Sequence, residues 1–143
     1  GLGDVYKRQH QFFVIPASVA INFAALVAAL LLINGVPDAP ADARVGKRTL
    51  AVRLGPTGTA VLYTVLTLGA HAWLGLSVGL LIPPTEALWG LVSLPLSLFA
   101  SGWLWRQRQH PECLRPALAA TVAATLLHGL GMAIGFAWLG WSH

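Results

Sequence analysis

The stretch FFVIPASVAINFAALVAALLLI, residues 12–33, contains no charged side chain. An α-helix rises about 1.5 Å per residue, so a run of this length crosses the hydrocarbon core of a bilayer, which is about 30 Å thick. In hydrocarbon the backbone must satisfy its own hydrogen bonds, and an α-helix does so within one segment. This stretch therefore predicts a transmembrane helix.

Three further apolar runs follow, at residues 59–82, 87–105 and 117–141. Of the 143 residues 56% are hydrophobic and 10% are charged, whereas a typical soluble domain is about 25% charged. This composition excludes a disordered chain and an ordinary soluble domain. The sequence predicts an all-α fold, an integral membrane helical bundle with four transmembrane helices.

The positive charges lie mainly between these runs. The chain carries a net charge of +4, and most of its Lys and Arg residues are in segments 34–58 and 106–116, while segment 83–86 has none. Basic loops stay on the cytoplasmic side of a membrane. We therefore expect a bacterial inner-membrane protein with both basic loops in the cytoplasm and the C-terminus outside. Membrane lipid is a predicted partner and nucleic acid is not.

Residues 1–9, GLGDVYKRQ, do not continue the apolar pattern. In this topology Lys7 and Arg8 would fall on the outer side, against the charge rule. We expect residues 1–9 to be a non-native tail and residues 10–143 to form the membrane domain. The alternative is a native polar loop.

The polar chemistry is concentrated in NGVPDAPADARVGKRTLAVRLG, residues 34–55. Asp38 and Asp42 are four residues apart, so one helical turn places both carboxylates on one face. Mg²⁺ is typically held by one or two carboxylates together with substrate phosphates. Lys47 and Arg48 follow, and such side chains bind phosphate oxygens. The acidic pair followed by the basic pair suggests a site for a diphosphate that is bridged by a metal ion. The alternative is a loop whose charges only set the membrane topology and form ion pairs on the surface.

The pattern N-x-x-x-D-x-x-x-D followed by G-K-R-T-L-A-V-R-L-G resembles the second Asp-rich motif of the UbiA-type intramembrane prenyltransferases. It is most similar to the branch that prenylates 1,4-dihydroxy-2-naphthoate in menaquinone synthesis. Residues 12–143 also resemble the family in layout, with one helix before the motif and three after it. In the family these helices form the C-terminal part of a nine-helix fold.

The resemblance implies a role for each residue of the motif. Asp38 and Asp42 would be the catalytic and metal-binding residues and would hold Mg²⁺, while Lys47, Arg48 and Asn34 would bind the diphosphate. The implied reaction transfers a polyprenyl group from an allylic diphosphate to an aromatic or quinone-precursor acceptor, with 1,4-dihydroxy-2-naphthoate favoured. The implied partners are the polyprenyl diphosphate and the aromatic acceptor.

Two features depart from the family pattern. Pro40 lies between the aspartates, and proline is tolerated only in the first turn of a helix. The turn must therefore start near Val36 or Pro37, or the aspartates are not on a regular helix. The family's other Asp-rich motif, N-D-x-x-D-x-x-x-D, does not occur in this sequence. We therefore expect a C-terminal fragment that is inactive alone and whose partners include the missing N-terminal helices of the same protein.

Two other classes compete with this interpretation. A CDP-alcohol phosphatidyltransferase needs D-G-x-x-A-R followed by G-x-x-x-D-x-x-x-D, whereas here Gly46 follows Asp42, so this class is disfavoured. A non-catalytic four-helix membrane protein, such as a small transporter or an assembly subunit, remains the alternative.

Several residues inside the apolar runs suggest helix packing. His71 and His128 either join helices by hydrogen bonds or belong to the site, since an ionisable group within a membrane is a functional candidate. Asn22 is expected to form a hydrogen bond between helices. Gly131 and Gly135 form a G-x-x-x-G pattern, which predicts close helix packing within the chain rather than dimerisation.

Overall fold

The computed structural model describes residues 1–142, and the side chains of all of these except residues 10–12. Helices account for most of the chain, and no strand occurs in the described part. The α-helices are α1 (Leu2–Asn34), α2 (Ala39–Arg44), α3 (Leu50–Gly79), α4 (Leu94–Gln107) and α5 (Arg115–Trp141). Two 3₁₀ segments, Thr85–Ser93 and Pro111–Cys113, precede α4 and α5.

Four helical segments are long and apolar enough to cross a membrane. They are Leu2–Asn34, Leu50–Gly79, Thr85–Gln107 and Arg115–Trp141. The predicted all-α bundle with four transmembrane helices is therefore confirmed, and the chain is an integral membrane protein. Residues 2–9 form the exposed first turns of α1, and their interpretation as a non-native tail stays a prediction.

The third span is not one regular α-helix. Its first part, Thr85–Ser93, is 3₁₀, and α4 begins only at Leu94. Pro95 lies in the first turn of α4, where its missing N–H group is not needed for an intrahelical bond. The change from 3₁₀ to α-helix therefore places Pro95 where an α-helix tolerates proline best.

Two glycines of α5 explain how this 3₁₀ segment packs. A Cβ atom at Gly131 would collide with the carbonyl oxygen of Trp89, and one at Gly135 would collide with that of Glu86. The backbone of the segment thus rests directly on α5, in the close approach that small residues allow. The prediction that the G-x-x-x-G pattern serves packing within the chain is confirmed.

The helix α3 changes direction near its start. Gly55 has φ 68° and ψ 177°, a conformation that side chains other than glycine rarely adopt, and Pro56 follows it. The helix therefore consists of a short first part and a long second part that begins at Pro56. This break lies beside α2 and beside the loop after α4, at the end of the bundle where residues 34–55 are found.

A core of buried apolar side chains holds this end of the bundle together. It joins α1, α3, α4 and α5, and it includes Val36 from the turn before α2. Tyr63 is fully buried within it, and its hydroxyl lies 2.6 Å from Oγ1 of Thr121 on α5. The segment with the aspartates is therefore attached to a packed platform.

Candidate functional site

The two aspartates lie at the start of a short helix that begins later than expected. The sequence predicted a start near Val36 or Pro37, but α2 begins at Ala39, with Asp38 as its N-cap residue and Pro40 in its first turn. The N–H group of Asp42 donates to the carbonyl oxygen of Asp38 at 2.9 Å. Both aspartates therefore stand on one helical turn, and Pro40 does not interrupt it.

The end of α2 is a Schellman motif built on Gly46. This glycine has φ +74°, its N–H donates to the carbonyl of Ala43 at 3.2 Å, and the N–H of Lys47 donates to that of Asp42 at 2.9 Å. These two bonds are the pair that defines the motif. The motif turns the chain back on itself, so Lys47 returns to the turn that carries Asp42.

The side chains of Lys47 and Asp42 meet as a result of this turn. The Nζ atom of Lys47 lies 3.3 Å from Oδ1 of Asp42, with side-chain exposures of 66% and 16%. Asp38 is exposed, and its carboxylate accepts no capping hydrogen bond, although aspartate at an N-cap commonly does. One carboxylate is thus sheltered and paired with a cation, while the other is exposed to the solvent.

The remaining two predicted site residues lie near this pair without joining it. Asn34 ends α1 and Arg48 lies in the linker before α3, and both are exposed. Within the described residues, no hydrogen bond or ion pair joins either of them to the aspartates. The structure brings Lys47 to Asp42, places Asp38 on the same helical turn, and leaves Asn34 and Arg48 exposed in the same segment.

The acidic pair can supply part of a magnesium site. Among the described residues, no group of three or more His, Cys, Asp or Glu side chains could hold a metal ion. Mg²⁺ retains waters and often takes its other ligands from substrate phosphates, so it needs only one or two carboxylates from the protein. Two carboxylates on one helical turn, one of them exposed, fit such an ion.

Other residues of the motif shape the chain around the site. Thr49 is the N-cap of α3, and its Oγ1 accepts a hydrogen bond from the N–H of Val52 at 3.4 Å. Gly46 ends α2 and Gly55 breaks α3. The G-K-R-T-L-A-V-R-L-G stretch therefore combines three cationic side chains with one helix end, one helix start and one kink.

The histidines form a separate buried network. The Nδ1 atom of His71 lies 2.7 Å from the carbonyl oxygen of Thr67, and its Nε2 lies 2.8 Å from Oγ of Ser93. The same Oγ lies 3.2 Å from Nδ1 of His128, whose Nε2 lies 3.4 Å from Oδ1 of Asn22. The network joins α1, α3, α5 and the 3₁₀ segment, and it contains the interhelical bond expected of Asn22.

This network lies far from the aspartates along the bundle. Sixteen residues separate His71 from Gly55, which corresponds to about 24 Å of helix at 1.5 Å per residue. Every ring nitrogen of His71 and His128 already has a partner within the protein. Of the two roles that the sequence left open, the structure therefore supports hydrogen bonding between helices.

Sequence reasoning missed Ser93, which bridges the two histidines. A serine inside an apolar run gives no periodic signal, because its small side chain is compatible with either face of a helix. Only its position between α3 and α5 distinguishes it from Ser97, one turn further along, whose Oγ is buried without a partner.

Comparisons with known proteins identify prenyltransferases as relatives of this chain. Residues 5–126 match the model of the UbiA prenyltransferase family. The 1,4-dihydroxy-2-naphthoate octaprenyltransferase of Mycobacterium tuberculosis is 34% identical over 132 residues, covering 92% of this chain and 44% of that protein. The enzyme of the same name from Escherichia coli is 31% identical over 139 residues, covering 94% of this chain and 43% of that protein.

The chain thus spans less than half the length of these relatives. No solved structure matches it.

Proposed function

Because the chain belongs to the UbiA prenyltransferase family, we propose that it takes part in transferring a polyprenyl group from an allylic diphosphate to an aromatic or quinone-precursor acceptor. The favoured acceptor is 1,4-dihydroxy-2-naphthoate, because the relatives named above are naphthoate octaprenyltransferases. This acceptor would place the protein in menaquinone biosynthesis. The observation that carries the proposal is the acidic pair on the turn of α2, with Lys47 beside Asp42.

Each of the five predicted site residues has a role in this reaction. Asp38 and Asp42 would hold a magnesium ion, which when bound would offset the charge of the departing diphosphate. Lys47 keeps Asp42 in place and offers its ammonium group to the diphosphate oxygens, and Arg48 offers a planar fork to the same oxygens. Asn34 orients a carboxylate or the diphosphate from the end of α1.

The apolar spans supply the other requirement of the reaction. Loss of diphosphate leaves an electron-deficient prenyl carbon, which the electron-rich ring of the acceptor attacks, while a ring proton is lost. Water would compete for the same carbon, so the reaction needs a site from which water is excluded. Helices that lie in hydrocarbon provide such surroundings for the isoprenoid tail.

We further propose that these residues act as the C-terminal part of a longer enzyme. The chain covers 44% or 43% of the relatives named above, and it contains one Asp-rich motif. Helices that precede residue 10 in the natural protein would supply the second motif and complete the pocket. The chain is then inactive by itself.

The proposed location is the bacterial inner membrane, with the aspartate segment in the cytoplasm and the C-terminus outside. All Lys and Arg residues except Lys7 and Arg8 lie in segments at one end of the bundle. Basic segments of this kind are retained in the cytoplasm.

The test compares the full-length protein with residues 10–143 alone. Each is expressed in membranes and supplied with Mg²⁺, a radiolabelled polyprenyl diphosphate and either 1,4-dihydroxy-2-naphthoate or 4-hydroxybenzoate. We expect naphthoate-dependent product from the full-length protein only, and its loss when EDTA is added. A full-length protein without activity towards either acceptor would favour the non-catalytic four-helix protein, and product from residues 10–143 would refute the fragment hypothesis.

A further inference from the structure

A cavity of about 270 Å³ lies where α2, the start of α3 and the loop after α4 meet. Ala39 and Ala43 of α2 form part of one wall, and Thr59 and Arg108 contribute polar atoms from α3 and from the loop. Neither aspartate and neither Lys47 nor Arg48 is among the lining residues. The cavity is therefore separate from the acidic pair, although it lies at the same end of the bundle.

Thr59 has a buried hydroxyl group without a hydrogen-bond partner. Its side chain is 1% exposed, and its Oγ1 atom makes no hydrogen bond. Elsewhere in the bundle, buried threonines donate to the carbonyl group four residues earlier: Thr67 to Tyr63 at 2.9 Å, and Thr121 to Ala117 at 2.7 Å. Four residues before Thr59 is Gly55, the break in α3, so the usual acceptor is out of place.

Arg108, which also lines the cavity, has a second such group. Its Nε atom is buried without a hydrogen-bond partner. The guanidinium is held by Trp105: Nη1 donates to the Trp105 carbonyl, and Cζ lies 5.5 Å from the centroid of the indole ring. The indole N–H in turn donates to Oγ1 of Thr64 at 2.9 Å. The cation is therefore held in position before any ligand arrives.

Oγ1 of Thr59 and Nε of Arg108 are unusual in being buried without a partner. Among the side chains that the structure describes, four buried polar atoms lack a partner, and two of these belong to residues that line this one cavity. An unsatisfied buried donor is costly, by about 1–3 kcal/mol, so such groups usually have a partner. A hydroxyl and a guanidinium that share a cavity point to an oxygen-rich ligand.

The charge around the cavity indicates that this ligand is an anion. No acidic side chain is among the lining residues. The surrounding segments carry Arg44, Arg53 and Arg106 in addition to Arg108, and their acidic residues, Asp38, Asp42 and Glu112, do not line the cavity. Most of the lining is apolar, including Val36, Pro40, Ala51 and Val52. The site therefore suits a molecule with one anionic group and an attached apolar body.

We propose that this cavity binds the phosphate group of an anionic membrane phospholipid, with Arg108 and Thr59 as its donors and the apolar wall against the adjoining acyl or glycerol carbons. Arginine matches phosphate oxygens with two parallel N–H groups, and a threonine hydroxyl adds a third donor. A lipid is favoured over free phosphate because the chain is a membrane protein and a bare ion would leave the apolar wall without contacts. The proposal does not depend on the prenyl transfer reaction.

The experiment uses the full-length protein, purified in detergent and stripped of lipid. The probe is dioctanoylphosphatidylglycerol, and two matched probes each lack one half of it: dioctanoylglycerol has no phosphate, and inorganic phosphate has no chains. Native mass spectrometry measures the lipids retained, and the rise in melting temperature measures the binding of all three probes. We expect saturable binding of dioctanoylphosphatidylglycerol and at least tenfold weaker binding of either partial probe.

The variants test the two donors against a matched cation. Arg108→Gln should weaken binding of dioctanoylphosphatidylglycerol by about tenfold or more, and Thr59→Val by about fivefold, because charge-assisted hydrogen bonds are the stronger ones. Arg106→Gln removes an exposed arginine from the end of α4 that does not line this cavity, and it should leave binding within about twofold. Thr59→Val should also leave the lipid-free melting temperature unchanged or higher, because it removes an unsatisfied hydroxyl.

Three outcomes would overturn the proposal. Equal weakening by Arg106→Gln and Arg108→Gln would show attraction by the whole basic surface rather than by this cavity. Equally tight binding of inorganic phosphate would assign the site to a free ion and not to a lipid. Unchanged binding in both Thr59→Val and Arg108→Gln would exclude the cavity.

Discussion

The ammonium nitrogen of Lys47 lies 3.3 Å from Oδ1 of Asp42, across the turn that Gly46 makes at the end of α2. An ion pair with one exposed partner contributes at most about 1 kcal/mol to stability. The main effect of this ion pair is therefore to hold the two side chains in position. It keeps a carboxylate and an ammonium group together, and both are needed if a diphosphate binds there through a divalent ion.

We expect Asp38→Ala and Asp42→Ala each to lower prenyl transfer by the full-length protein by about 100-fold or more, the range for loss of a group that stabilises transition-state charge. Each variant would lose a magnesium ligand, so the magnesium concentration needed for half-maximal rate should also rise. The measurement is the initial rate of product formation across a magnesium titration.

Glu112→Gln is the matched control for both aspartate variants. This carboxylate lies at the same end of the bundle, in the loop before α5, and it pairs with His110 at 3.3 Å. Its removal should leave the rate and the magnesium dependence unchanged. Wild-type rates in both aspartate variants would refute the metal site.

The conformation of Gly46 is expected to hold the end of α2 in place. Gly46→Ala places a side chain at φ +74°, which costs about 1–2 kcal/mol in the left-handed region. A Cβ atom there would meet nothing within 4 Å, so any effect is conformational and not steric. Backbone amide exchange of residues 42–47 should become faster, as measured by hydrogen–deuterium exchange in detergent.

Gly102→Ala is the control, since this glycine lies within α4 and also has open space around it. It should leave exchange in residues 42–47 unchanged. Equal exchange in Gly46→Ala and the wild type would contradict the role of the Schellman motif.

Replacing Gly131 or Gly135 by alanine should separate α5 from the 3₁₀ segment Thr85–Ser93. A Cβ atom at either position would collide with a backbone carbonyl oxygen, which cannot move aside as a flexible side chain can. Overpacking of this kind typically costs about 1–3 kcal/mol. We expect a lower melting temperature in detergent for both variants, with Gly140→Ala, at an open position of α5, unchanged. Equal melting temperatures in all three would show that the close contact is not required.

Ser93 and Ser97 provide a matched pair for the buried network. Ser93→Ala leaves one nitrogen of His71 and one of His128 without their partner, at a cost of about 1–3 kcal/mol. Ser97→Ala removes a hydroxyl that bonds to nothing and should be neutral or stabilising. The measurement is the thermal unfolding midpoint of each variant in detergent, and equal midpoints would refute the bridging role of Ser93.

The same network determines where the histidine protons lie. The Thr67 carbonyl only accepts, so Nδ1 of His71 is the donor at 2.7 Å. Ser93 has a single hydroxyl hydrogen, which its Oγ donates to the carbonyl oxygen of Gly90 at 2.9 Å or to Nε2 of His71 at 2.8 Å. In either case Oγ of Ser93 accepts from Nδ1 of His128, whose Nε2 requires a donor when the ring is neutral. The amide of Asn22 supplies it if its oxygen and nitrogen are exchanged, which also gives its unpartnered Nδ2 a bond.

We therefore expect both histidines to carry a proton at Nδ1. Nitrogen-15 chemical shifts of the two imidazole rings in the labelled protein would measure this directly, with the exposed His110 as an internal reference. A ring without a proton at Nδ1 at either position would contradict the assigned direction of the hydrogen bonds.

The sequence alone predicted the features that depend on local chemistry. An apolar run such as residues 12–33 is long enough to cross hydrocarbon whatever surrounds it, so four spans followed from length and composition. Asp38 and Asp42 lie within one turn of each other, so their shared face also followed from spacing.

The tertiary structure determined the features that depend on contacts between different helices. The segment Thr85–Ser93 is 3₁₀ and rests on Gly131 and Gly135, and no periodicity within the segment reveals a partner about 45 residues away. Ser93 bridges His71 and His128 because α3 and α5 both pack against the 3₁₀ segment that carries it. Thr59 and Arg108 share a cavity only because Gly55 redirects α3 beside the loop after α4. Length and spacing act within one segment, whereas helix packing alone determines which buried polar groups meet.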